Sequence, residues 1–156
     1  MRRGGVMEST GPGSGLGLRA ARVVAAVLAV PYVVLLAAYT FAPESAPQPG
    51  GEEYNLVPLR TIIEQATSGS GAEEFVRQIG GNFVLLLPLG ILLGIFGIST
   101  GRAAVVVVAT ALLIELAQFS LVAGRSADID DALLNIAGGL VGLLAGRGAG
   151  RALGAP

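Results

Sequence analysis

Apolar residues fall along the chain in four long blocks separated by short polar stretches. A membrane-crossing helix needs about 20 mainly apolar residues, because it rises about 1.5 Å per residue across a hydrocarbon core of about 30 Å. Residues 23–41, 81–98 and 103–122 meet that length. The fourth block, 132–145, is short by the same rule and reaches spanning length only if its helix begins near Asp128. The pattern predicts an all-α membrane protein, a four-transmembrane-helix bundle divided into a tail (1–18), a first span (19–42), an outer loop (43–80), a three-helix core (81–146) and a second tail (147–156). Residues 1–18, rich in Gly and Ser, are expected to be disordered. The first apolar run exceeds the usual 7 to 15 residues of a signal peptide and lacks a small-x-small cleavage site after Phe41, so a retained helix is expected.

Periodicity adds detail to the loop. Leu59, Ile62, Ile63 and Ala66 fall at i, i+3, i+4 and i+7, with Arg60, Glu64 and Gln65 off that stripe. An amphipathic helix lying on the outer membrane surface is predicted there. Ser70 and Glu73 have capping-box spacing, so a further helix should begin beside them and lead into the second span across Gly80 and Gly81. Pro58 marks a turn or helix start, and Pro88 a kink.

On a helical wheel with Asp128 as origin, Asp131, Asn135, Gly138, Gly139, Gly142 and Gly146 occupy an arc of about 100°. Leu133, Ile136, Leu140, Val141, Leu143 and Leu144 take the other side, which is expected to face lipid. Gly138, Gly142 and Gly146 make consecutive GxxxG steps, which allow close helix approach. Gly90, Gly94, Gly97 and Gly101 offer a matching strip in and beyond the second span.

Composition sharpens this picture. Of the 156 residues 53% are hydrophobic and 13% charged, against roughly 25% charged in an average soluble domain. Net charge is −1 and the ten arginines are scattered, which argues against a nucleic-acid partner. The chain has no cysteine and no histidine. Thiol catalysis, Cys or His zinc sites and His-based proton transfer are excluded, and neither a metal nor a cofactor is predicted. Basic residues stay cytoplasmic. Placing both termini inside leaves Arg2, Arg3, Arg19, Arg22, Arg102, Arg147 and Arg151 in the cytoplasm, against Arg60, Arg77 and Arg125 outside. A multi-pass cell-membrane protein with cytoplasmic termini is expected.

The remaining polar groups share one depth. A charged acid at mid-membrane costs about 2.5 to 3.5 kcal/mol on insertion scales, so Glu115, with Gln118 one turn away, should face the bundle interior. Glu115 lies seven residues before Val122, about 10 Å below the outer boundary. Asn82 opens the second span at that boundary, and Asn135 enters the fourth one turn below Asp131. Asn82, Glu115, Gln118, Arg125, Asp128, Asp131 and Asn135 are therefore expected to converge on one outward pocket. Simpler roles stay open: Arg125 with Asp128 or Asp131 as an interfacial ion pair at a helix start, and Glu115 with Gln118 as interhelical glue. Asp130, on the opposite side of the wheel, is expected in solvent.

Four motifs are carried by these residues: N-L-V-P at residues 55–58; N-x5-P-x-G at Asn82, Pro88 and Gly90; E-x2-Q-F at Glu115, Gln118 and Phe119; and G-R-x2-D-x2-D-x3-N-x2-G from Gly124 to Gly138. Together they resemble the VanZ-like family of small bacterial integral membrane proteins, over about residues 55–145. Leu59 and Leu86 stand where an aromatic residue is more usual. The resemblance implies a membrane protein acting at the cell envelope; the family takes its name from a member linked to resistance against teicoplanin, a lipoglycopeptide.

Three functions remain open. The pocket binds a glycan, a lipid-linked cell-wall precursor or a lipoglycopeptide, with Arg125 gripping an anionic group. Alternatively the chain is an enzyme on a lipid-linked substrate, with Glu115 as acid or base and Asp128 and Asp131 holding a divalent cation. A small proton-coupled carrier titrating at Glu115 is the third, and with no inverted repeat it would need to be oligomeric. Membrane lipid is a partner in every case.

The orientation is directly testable, because the chain is free of cysteine. In intact cells Ser126→Cys should react with a membrane-impermeant thiol reagent and Gly101→Cys should not; the reverse pattern would invert the topology.

Overall fold

The computed structural model describes residues 14–42, 54–67, 72–122 and 126–154. Among the described residues four stretches are long and apolar enough to cross a membrane: Gly15–Thr40, Val76–Ile95, Thr100–Leu121 and Ile129–Ala152. The first lies in α1 (Ser14–Thr40), which starts earlier than the expected tail boundary at residue 18. Its added turn is packed rather than loose: Leu18 is buried, and a Cβ on Gly17 would lie 3.5 Å from Leu153.

The second span is built in pieces. A short helix, α3 (Ala72–Phe75), passes into a π-helical turn over Val76–Gly80 and then into α4 (Gly81–Leu85). The chain therefore continues across Gly80 and Gly81 as its sequence suggests; Ser70, the expected cap, is outside the described residues. The helix breaks at Leu86 and resumes as α5 (Leu87–Ile95) with Pro88 in its first turn. Proline lacks an N–H, which is harmless in a first turn but leaves a carbonyl without its helical donor on the preceding side. Here that carbonyl is Val84's; beside it, Tyr32 of α1 donates its hydroxyl to the carbonyl of Leu85 at 3.0 Å and so ties a neighbouring span to the kink.

The last two spans are α6 (Thr100–Leu121) and α7 (Ile129–Ala152). The fourth helix does begin beside Asp128, and it runs beyond the expected limit at 146. In the loop between the first two spans, β1 (Tyr54–Asn55) pairs in parallel with β2 (Ala127–Asp128), Tyr54 opposite Ala127 and Asn55 opposite Asp128. A helix, α2 (Arg60–Thr67), follows. None of its residues is buried, so the predicted apolar stripe makes no core, and polar bonds at its N-terminus hold it instead.

The bundle core consists of Leu86, Val107, Ala111 and Ile114, with Leu36, Leu85, Leu89, Leu93 and Ile136 packed against it. The closest approach is between α7 and the second span. A Cβ on Gly138 would overlap the carbonyl of Phe83, one on Gly142 that of Leu87, and one on Gly146 that of Ile91. From the other side, Gly90 and Gly94 meet the α7 backbone at Gly139, Leu143 and Arg147. This is the backbone-to-backbone packing that GxxxG steps permit. Two expectations change. Gly97 and Gly101 are not part of the strip: Gly97 turns the chain at φ 73°, and nothing lies within 4 Å of a Cβ on Gly101. Leu143 is buried and Ile136 touches the core, because the glycine backbone draws the second span close enough to cover both.

Substituting Gly142 with Val should therefore abolish the folded, detergent-dispersed protein or lower its Tm sharply. Gly101→Ala should change stability by less than about 0.5 kcal/mol. Equal Tm values for the two variants would contradict the packing described.

Candidate functional site

At the end of the bundle opposite the termini, two aspartates organise the loop. Asp128 is the N-cap of α7, and its Oδ1 accepts from the backbone N–H of Asp130 at 2.9 Å. The same oxygen accepts from Asn55 Nδ2 at 3.1 Å, and Oδ2 accepts from the Thr61 hydroxyl at 2.5 Å. Asn55 also donates to Thr61 Oγ1 at 2.9 Å and closes its own turn by accepting from Val57 N–H. The backbone N–H of Asp128 donates to Glu115 Oε1 at 2.6 Å. One residue thus links the loop, α6 and α7.

Asp130 does the reverse job. It is 0% exposed, which overturns its expected place in solvent. Its carboxylate accepts from the N–H groups of Leu59 at 2.5 Å, Thr61 at 2.9 Å and Ile62 at 3.4 Å. The first N–H groups of a helix lack partners within it and carry partial positive charge. Asp130 therefore caps α2 from another part of the chain. Leu59 takes a left-handed conformation at φ 67°, a cost of about 1–2 kcal/mol for a residue with a Cβ, and the bond to Asp130 offsets it.

Beside this hub lies a cavity of about 90 Å³ lined by Tyr39, Arg77, Gln78, Asn82, Ser126, Asp128 and Asp131. Tyr39 comes from the end of α1, Arg77 and Gln78 from the π-helical turn, Asn82 from α4, Ser126 and Asp128 from the segment just ahead of α7, and Asp131 from its first turn. Gln65 of α2 donates to Gln78 and holds that wall in place. Three residues expected from the sequence, Asn82, Asp128 and Asp131, share this space. Glu115 lies on another side of Asp128, on an apolar depression of about 250 Å³ walled by Leu56, Leu112, Leu116, Phe119 and Ile129. Gln118 and Asn135 line neither: they are buried at 3% and 1% exposure, and among the described residues nothing hydrogen-bonds to Gln118 Nε2 or to either polar atom of the Asn135 amide. Arg125 is outside the described residues.

Tyr39, Arg77, Gln78 and Ser126 were not among the sequence candidates. Gln78 and Asn82 are four residues apart, a spacing that places both on one face of the helix expected to run across Gly80 and Gly81, and that signal could have united them. Asn55 and Thr61 had no such signal, since their role depends on a contact with residues more than 65 positions away. Oδ1 of Asp128 already accepts from two protein donors and Oδ2 from one, so most of the acceptor capacity of this carboxylate is spent within the protein. Among the described residues no three carboxylates stand close enough to hold a metal.

With this geometry in place, comparison with known proteins is informative: the family model described as VanZ/LLP1 matches residues 24–148. No curated protein and no solved structure matches the chain.

Removing the Asp130 carboxylate strands the N–H groups that open α2. Asp130→Ala should cost about 2–3 kcal/mol and make Arg60 a trypsin site, whereas Ser126→Ala should change stability by less than about 0.5 kcal/mol. An Asp130→Ala protein that resists trypsin like the wild type would refute the capping role.

Proposed function

Because the chain belongs to the VanZ/LLP1 family, we propose that it is a cell-membrane protein whose polar cavity faces the exterior and binds a polar group of an envelope molecule: a glycan, a lipid-linked cell-wall precursor or a lipoglycopeptide. The supporting observation is the chemistry of the lining. Hydroxyl, amide, carboxylate and guanidinium groups from three spans meet at one cavity. Such a lining both donates and accepts hydrogen bonds, which suits polyhydroxylated groups. Arg77 takes the part expected of Arg125, pairing an anionic oxygen. At about 90 Å³ the space holds a few water-sized groups, so a large ligand would enter by one small polar group and rest the remainder on the membrane surface.

A second reading is favoured by the apolar depression at Glu115. Its aliphatic and aromatic wall suits the hydrocarbon tail of a lipid-linked substrate, with the Glu115 carboxyl beside the head group as acid or base. In that reading Asp128 positions Glu115 through its backbone N–H and takes no part in proton transfer.

Binding in nanodiscs separates these readings, using fluorescent teicoplanin and a lipid-linked disaccharide-pentapeptide as probes. Arg77→Gln and Asp131→Asn should each weaken binding about tenfold in protein that still inserts and folds. Glu115→Gln should bind normally, and should abolish any product formed from the lipid-linked probe if the second reading holds. Wild-type protein that binds neither probe, or cavity variants that bind as well as wild type, would refute the cavity as the site.

A further inference from the structure

A second feature lies at the opposite end of the bundle, where the termini are. Between α1 and α5 runs an apolar groove of about 370 Å³ whose lining extends from Ala21 and Ile95 to Tyr32 and Pro88. From Ala21 to Tyr32 the helix rises about 16 Å, close to half of a hydrocarbon core about 30 Å thick. The groove thus has the length of one acyl chain in a single leaflet. At its far end it is closed by Tyr32, whose hydroxyl is held by Leu85.

The mouth is cationic. Arg22 stands next to Ala21, and its Nε donates to the Ile95 carbonyl at 3.3 Å, which brings the guanidinium over Gly97. Among the described residues no other acceptor meets this side chain, so both of its Nη groups are available. Arg147, by contrast, spends its guanidinium on Thr100 and the Ile98 carbonyl. Arg19, Arg102 and Arg151 stand exposed at the same end of the bundle, and the described residues there (14–22, 96–104 and 147–154) include no Asp or Glu. An apolar groove one leaflet long, opening beside an unopposed guanidinium fork, matches a lipid with a negatively charged head group. The fork pairs two phosphate oxygens, and the neighbouring arginines raise the local positive potential.

We propose that this groove binds an anionic phospholipid from the leaflet that holds the termini, with one acyl chain between α1 and α5 and its phosphate on Arg22. The lipid then fills a gap that α1 leaves with α5. α1 is the least buried of the four spans, so the lipid acts as part of its packing.

Native mass spectrometry of the full chain tests this, with dioleoyl phosphatidylglycerol and dioleoyl phosphatidylcholine as probes of identical tails. The wild type should retain phosphatidylglycerol about five-fold more strongly. Arg22→Gln should remove that preference and Arg151→Gln should keep it. Val24→Trp, at a 57% exposed position on the groove wall, should reduce retention of both lipids while leaving Arg22 in place. An undiminished preference in Arg22→Gln, no preference in the wild type, or full retention in Val24→Trp would each overturn the proposal. The last variant also covers the case in which Arg22→Gln does not fold.

Discussion

The structure depends on a contact in which two helix backbones touch. Gly138, Gly142 and Gly146 lie against the carbonyls of Phe83, Leu87 and Ile91, where no side chain fits. In a bilayer the hydrophobic effect gives little preference for helix over lipid, so such close packing is a main source of association. It also fixes rotation. With the glycines turned toward the second span, Asp131 on the same stripe is carried to the cavity that Asn82 of α4 also lines. The same rotation sets Asp128 and Asp130 at the head of α7, within reach of the loop.

Those two acids divide a task that one could not perform. Asp128 caps its own helix and gathers Asn55 and Thr61, while Asp130 caps a helix some seventy residues earlier in the chain. Charged acceptors on backbone N–H groups form strong hydrogen bonds, and the pair converts an otherwise unburied segment into a fixed lid over the bundle end. The short β1–β2 pairing follows from this docking, since two residues on each strand make too few bonds to stand alone. Glu115 joins the hub through the backbone of Asp128, and that bond orients its carboxyl.

Much of this was legible in the sequence, and the remainder failed for a definite reason. Apolar block length located the four spans, and the three-four spacing of small residues marked the packed face of α7. Of the seven polar residues expected to converge, Asn82, Asp128 and Asp131 line one cavity. A wheel, however, treats a helix as if it began fully formed. Asp130 sits in the first turn, where a side chain can reach sideways to a loop, so its angular position did not reveal its burial. The lipid-facing assignment of Leu143 failed because a wheel counts side chains and ignores how close a glycine lets the neighbouring backbone come. Arg77 and Gln78 were missed because the second span begins earlier than its apolar run, through a π-helical turn.

The central claim is that the loop folds back onto the head of α7 and so completes the polar end of the bundle. Cysteines at Tyr54 and Ala127 test it most directly, because these positions face one another in register on adjacent strands and the chain has no cysteine of its own. Paired positions of neighbouring strands have Cα separations of about 5 Å, within the range a disulfide spans. In native membranes under mild oxidation, peptide mass spectrometry should find the two residues joined in nearly all of the protein. Two thiols that stay free and react separately with maleimide would show that the loop does not dock there.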